Sequence, residues 1–163
     1  MPMLDVYIPE GALEAEAEAA LLNRITEILV RHEGFDPADP GTRAISWAFL
    51  HRPAVYVGGE PAEAPRYRVL AYVPEGQLDW DARDSVVAQV TEAILDAENG
   101  AWSRDPRRVW VFPLEIPEGH WGGAGHIVPL ANILALTGIS PEQARTLAAQ
   151  RITATRTEHT SLP

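Results

Sequence analysis

The heptapeptide Tyr7-Ile8-Pro9-Glu10-Gly11-Ala12-Leu13 returns 65 residues later as Tyr72-Val73-Pro74-Glu75-Gly76-Gln77-Leu78. Each copy closes an apolar stretch and opens a helical pattern. Downstream, Trp47-Ala48-Phe49 is echoed by Trp110-Val111-Phe112 at a spacing of 63. Two matches in the same order at nearly the same offset indicate a duplicated strand–helix–strand unit. Residues 3–8 alternate as a strand, which Pro9 and Gly11 end. From about residue 13 to 32, Leu21, Leu22, Ile25, Ile28 and Leu29 recur at helical spacing, and Gly34 stands at the stop. A second strand is expected over 42–52. The second unit repeats the plan, with a strand over 66–73, Asp79 as N-cap, a helix striped by Val86, Val87, Val90, Ile94 and Leu95, and a strand over 109–114.

Two such units predict an α+β fold, in which a tandem β-α-β repeat builds a four-stranded sheet with two helices on one face, because parallel crossovers share one hand. One domain over residues 1–163 is expected, with units at about 2–60 and 66–128 and a C-terminal extension over about 129–163. In that extension, short helices are expected over 130–138 and 141–151, and the threonine-rich tail from Thr153 reads as disordered or as lying across a neighbouring subunit. The period of two puts Trp47, Phe49 and His51 on one sheet face and Trp110, Phe112 and Leu114 on its counterpart. Rings of that size are rarely left in water, so this face is expected to meet other subunits and to wall a pocket.

Composition narrows the chemistry. Apolar residues make up 46% and charged residues 22%, the mixture of a globular protein. No apolar run is long enough to span a bilayer and no basic leader is visible, so a cytoplasmic location and no membrane partner are expected. A net charge of −10 and scattered basic residues argue against nucleic acid. Without cysteine there is no thiolate chemistry, and the five histidines lack ligand spacing, so neither a metal nor a cofactor is expected. All thirteen basic residues are arginines. The chain's amino terminus is therefore its sole titratable aliphatic amine.

On Met1-Pro2, Ile8-Pro9-Glu10-Gly11, the duplicated unit and the glycine-dense turn Glu115–Gly125, residues 2 to about 130 resemble the tautomerase superfamily. That group contains the 4-oxalocrotonate tautomerases, malonate semialdehyde decarboxylase, the chloroacrylic acid dehalogenases and macrophage migration inhibitory factor. The resemblance implies a homotrimer and a catalytic Pro2, exposed as a secondary amine when Met1 is removed. Burial would lower the pKa of that amine and let it move a proton between the carbon and oxygen ends of an enol. The family's arginines are absent, since Ala12, Gln77 and Trp110 occupy the positions that hold a carboxylate in relatives, and the dehalogenases' acid falls near Gly123. A small carbonyl or carboxylate substrate of phenylpyruvate-like enol type is expected in a pocket of Trp47, His51, Trp110, Phe112, Trp121 and Gln77. His120 could also relay protons, and Arg52, Arg66, Arg68 and Arg108 are candidates for the missing carboxylate contact. The competing expectations are a catalytically silent trimer that binds a small ligand or a protein, and a ferredoxin-like regulatory domain.

Overall fold

The computed structural model describes the backbone of residues 2–161 and the side chains of residues 2–157. β1 (Met3–Tyr7) leads into α1 (Ala15–His32). Leu21, Ile25, Ile28 and Leu29 line the buried stripe of that helix, Glu16 and Glu18 sit in its first turn, and Arg31 and His32 in its last, each charge complementing the helix dipole. Gly34, at φ +84°, ends it in the left-handed region. The stretch expected to begin a strand at residue 42 instead forms α2 (Pro40–Ala44), because the Asp39 carboxylate accepts the Thr42 amide at 2.6 Å and Pro40 fits a helix's first position. β2 is thereby shortened to Trp47–His51. A small hairpin of β3 (Tyr56–Val57) and β4 (Glu60–Pro61), unforeseen from the sequence, links the two halves.

The second half repeats the first. β5 (Tyr67–Pro74) is followed by α3 (Trp80–Ala97), whose N-cap Asp79 accepts the Ala82 amide, and then by β6 (Val109–Ile116). The two long helices begin and end 65 residues apart. The sheet order is β2-β1-β5-β6, with parallel outer pairs and an antiparallel centre. Met3 faces Tyr72 and Tyr7 faces Arg68, so Asp5 and Leu70 lie opposite each other on the two-fold that relates the halves. At the sheet's edges, Trp47 pairs with Met3 and Trp110 with Arg68, the 63-residue offset seen in the sequence.

Leu4, Val6, Val69, Ala71 and Val73 project from one sheet face against Ile25, Leu29, Val90 and Ile94 of the helices, and all of them are buried. Each such side chain contributes roughly 1.5–3 kcal/mol by leaving water. The other sheet face carries Trp47, Phe49, Trp110, Phe112 and Leu114 in the open, with Trp110 65% exposed. Beyond β6 comes the glycine-rich hairpin, with β7 (Gly122–Gly123) paired to β8 (His126–Ile127), and then α4 (Leu130–Ala135) and α5 (Pro141–Ser161). The segment from Thr153, expected to be disordered or to lie across a neighbouring subunit, continues α5 as far as Ser161. Arg156 of that segment forks onto the Glu75 carboxylate at 2.7 and 3.1 Å, a bidentate contact that gives the polar turn a partner. α4 and α5 close on a small core of their own, Leu130, Leu134, Ala144 and Ala148. No helix among the described residues is long and apolar enough to cross a membrane.

Candidate active site

The amino end of β1 is where the unusual chemistry gathers. Pro2 is buried, and its alternation with Leu4, Val6 and Ile8 puts it on the helix-covered face of the sheet. Its carbonyl accepts the Trp47 amide at 3.2 Å, which ties the start of β1 to the start of β2. Because β1 and β5 are antiparallel, the turn that follows β5 arrives at this same end. That turn contains Gly76, at φ +87°, and a Cβ there would stand 3.0 Å from the backbone of Arg151. Glycine thus permits α5 to dock directly on the turn.

Docking brings Arg151 against two buried groups. Its guanidinium donates to Gln77 Oε1 and approaches the Glu33 carbonyl at 3.5 Å. Gln77 is 5% exposed, and with its oxygen engaged its Nε2 has no hydrogen-bond partner among the described residues. A buried amide donor left in this way is costly unless a ligand accepts from it. Glu33, at the end of α1, is buried as well. Burial pushes its carboxyl above the usual carboxylate range, against the pull of Arg151. Burial also lowers the Arg151 guanidinium from its ordinary value, and Glu33 acts in the opposite direction. The flanks of the turn are pinned by ion pairs: Arg83 meets Glu115 at 2.9 Å, and Glu115 also accepts the Gly76 amide at 2.9 Å. Arg151, Arg83 and Glu115 are therefore held by their neighbours before any ligand arrives, whereas Gln77 Nε2 is not.

The other residues named from sequence fall differently. Trp121 lies half-buried in the hairpin that leaves β6 at the Pro2 end of the sheet. Trp47 adjoins Pro2 through the backbone, but its ring packs edge-on to Phe49 on the open face and its Nε1 donates to the Ala44 carbonyl. Phe112 is midway along β6, opposite Leu70 and likewise on the open face. Trp110 and His51 stand at the far end of the sheet, beside Arg68 and Tyr7. His51 stacks on Tyr7 with ring centres 4.3 Å apart and holds Asp5 Oδ1 at 2.6 Å. Within one chain, none of these last four side chains shares the Pro2 end of the helix-covered face.

Arg108 is a structural cation rather than a free carboxylate contact. It is 3% exposed, and its two Nη atoms meet the Glu98 oxygens at 2.5 Å each. Glu98 also accepts the Tyr67 hydroxyl at 2.8 Å. Arg108 and Tyr67 form part of the floor of a wide cleft of about 560 Å³ that Tyr7, Tyr56, Arg66, Arg68 and Trp110 also line. That cleft offers cations and rings, whereas Pro2, Gln77 and Glu33 are buried at the opposite end of the sheet. Glu33 and Arg151 were not anticipated. The repeat could have flagged Glu33, since Glu98 stands 65 residues on; Arg151 lies beyond the repeat and carries no such signal.

No protein-family model and no curated protein matches the chain. Solved structures do. N1, a member of the cis-3-chloroacrylic acid dehalogenase family, is 16% identical over 90% of this chain and 99% of its own, with a TM-score of 0.65. A wild-type fused 4-OT symmetric trimer is 22% identical over 82% and 98%, with a TM-score of 0.62. Pt0534 inactivated by 2-oxo-3-pentynoate is 21% identical over 77% and 94%, also at 0.62. The four-stranded mixed sheet with its helices agrees with these neighbours in architecture, and the chain has the fold of the tautomerase superfamily.

Proposed function

We propose that this chain is an isomerase-type enzyme in which the amine of Pro2, freed by removal of Met1, acts as general acid and base on a small enol or keto compound bearing one carboxylate. What supports the reading is the company at the amino end of β1: a buried proline beside a buried amide donor of Gln77 and the cation of Arg151. Arg151 and Gln77 receive the carboxylate, doing from α5 and the β5 turn the work that relatives assign to arginines at the positions of Ala12 and Gln77. The amine then gives a proton to the enol carbon and recovers one from the enol oxygen, which general acid–base catalysis speeds by about 10²–10⁴-fold. The open aromatic face is covered by neighbouring subunits, three to an assembly as in the fused 4-OT trimer, and the setting is cytoplasmic. Through that interface a neighbour's rings could complete the wall that Trp110 and Phe112 do not supply within one chain.

Covalent trapping tests the amine directly. One solved neighbour was inactivated by 2-oxo-3-pentynoate. Treated with that compound, the mature protein is expected to gain a single adduct, to carry it on the peptide beginning at Pro2, and to lose ketonisation of phenylenolpyruvate in parallel. An adduct elsewhere, or full activity after stoichiometric labelling of Pro2, would discard the reading. Arg151→Met should raise KM for that substrate by about tenfold or more, one charged hydrogen bond's worth, with a smaller change in kcat. Steady-state kinetics read both values. The competing reading is a silent trimer that binds a ligand, and the wide cleft around Tyr56 and Trp110 favours it. It predicts binding at that cleft with no dependence on Pro2.

A further inference from the structure

One rung of register neighbours crosses all four strands on the open face: His51 beside Tyr7, Tyr7 beside Arg68, and Arg68 beside Trp110. The two-fold through Asp5 and Leu70 turns it onto a second rung, in which Leu114, Tyr72, Met3 and Trp47 take the same places in turn. The tyrosine and the tryptophan are kept, but a guanidinium and an imidazole stand in the first rung where methionine and leucine stand in the second. The Arg68 guanidinium lies 3.9 Å above the centre of the Tyr7 ring, which stacks in turn on His51. A ring face holds the cation but supplies it with no acceptor oxygen. The end of the sheet where β5 begins thus carries charge that the matching end lacks.

That rung borders the cleft of about 560 Å³. Four arginines line it, Arg66, Arg68, Arg107 and Arg108, and among the described residues no aspartate or glutamate does. Arg107 and Arg108 are neutralised from outside it, by Asp105 at 2.8 Å and by Glu98 at 2.5 Å. Arg66 and Arg68 are not: Arg66 reaches only the carbonyls of Ala64 and Pro65, at 3.3 and 3.4 Å, and neither meets a carboxylate among the described residues. In a chain of net charge −10, two cations gathered in a space without acids form a local positive field that an incoming anion completes. The rest of the wall is ring and aliphatic carbon, from Tyr56, Trp110, Val55 and Val57. We propose that this cleft is a second ligand site that takes a planar aromatic carboxylate: the carboxylate is held by Arg66 and Arg68, and the ring lies against Tyr56 and Trp110. The planar guanidinium fork matches a carboxylate, and a cavity of this size suits a ligand of one or two rings. An inorganic anion would leave the apolar wall unused, and a neutral ring would leave both cations without an acceptor. The cleft lies at the far end of the sheet from Pro2, so the site does not depend on that amine, and unlike the silent-trimer reading it holds in an active protein too.

trans-Cinnamate serves as the probe, since it joins a flat ring to one carboxylate and has no keto or enol group to turn over. Titration calorimetry of the full chain in its native assembly is expected to show saturable binding, part of which survives Arg151→Met and so lies away from the Pro2 end. That part should weaken by about tenfold or more in Arg68→Met and likewise in Arg66→Met, each losing one charged hydrogen bond. Arg145→Met, an exposed cation of α5, controls for the loss of one positive charge and is expected to leave it in place. Cinnamyl alcohol and acetate, which lack the charge and the ring respectively, should each bind about tenfold or more weakly than cinnamate. Binding that vanishes in Arg151→Met and persists in Arg68→Met would overturn the proposal. So would the absence of binding because a neighbouring subunit fills the cleft, or inorganic phosphate held as tightly as cinnamate. Should Arg68→Met not fold, Tyr56→Ala on the exposed hairpin decides the matter: a several-fold loss supports the site and unchanged affinity refutes it. These readouts are separate from turnover, so a protein that holds cinnamate in the cleft and ketonises nothing would retain this site and lose the assignment of Pro2.

Discussion

A form of the protein forced to keep a residue ahead of Pro2 is expected to lose ketonisation of phenylenolpyruvate by about 10²–10⁴-fold relative to the mature chain. The reason is chemical. Joined to a preceding residue, the proline nitrogen is a tertiary amide, whose lone pair is delocalised into the carbonyl and has neither a proton to give nor basicity to take one. Gln77 and Arg151 would still be present to receive a carboxylate, so the effect should fall on kcat rather than on KM. Pro2→Ala, with its start processed, should lie between the two forms, because it retains an amine but loses the ring that sets φ and aims the lone pair. Intact mass establishes which start each preparation has, and progress curves at matched enzyme concentration give the rates. Equal rates for the extended and mature forms would end the assignment of Pro2.

The second large effect concerns stability. Arg108→Leu leaves Glu98 as a buried charge whose remaining partner is the Tyr67 hydroxyl, and removing one member of such a pair costs about 3–5 kcal/mol. The guanidinium also spans two backbone carbonyls, Pro65 at 3.2 Å and Ser103 at 2.8 Å, which would lose their donor. Burial, with Glu98 beside it, pushes the Tyr67 phenol up, so the ring stays neutral and offers Glu98 a hydrogen bond but no countercharge. Urea unfolding followed by circular dichroism should show the midpoint falling with little change in slope. Replacing both charges, Arg108→Leu with Glu98→Gln, should recover a good part of the loss, because the glutamine oxygen can still accept from Tyr67. A double variant no more stable than the single one would show that the packing of Arg108, not its charge, holds this corner.

The repeat made the architecture readable before any coordinates, because both its offsets are properties of backbone pairing. The 65-residue step is the two-fold of β1 and β5, and the 63-residue step places Trp47 and Trp110 at equivalent points on the outer strands. The N-cap at Asp79 and the stop at Gly34 are local signals and hold where local chemistry decides. The departures also have local causes. Asp39 and Pro40 nucleate a short helix where β-branched residues suggested a strand, and α5 runs past Thr153 because Arg156 finds Glu75. The site was legible only in part. Alternation puts Pro2 on the helix-covered face, but it says nothing about which end of the sheet Gln77, Trp110, His51 and Arg108 occupy relative to Pro2. That is decided by the antiparallel centre, which turns the two units end for end. Arg151 belongs to no strand or repeat and reaches the site through helix docking, a contact between residues 74 positions apart for which no periodicity exists.

The antiparallel centre of the sheet has one more implication. When two copies of a unit are fused, only the first retains a chain start; the corresponding nitrogen of the second becomes a peptide link and loses its basicity. Tyr67 occupies that place, and its hydroxyl is held by Glu98, which is itself bound to Arg108. On the proposed reading of Pro2, an assembly of such chains has as many reactive centres as it has polypeptides, half the number that its internal symmetry would suggest. The vacated half is free to harden into an anchor.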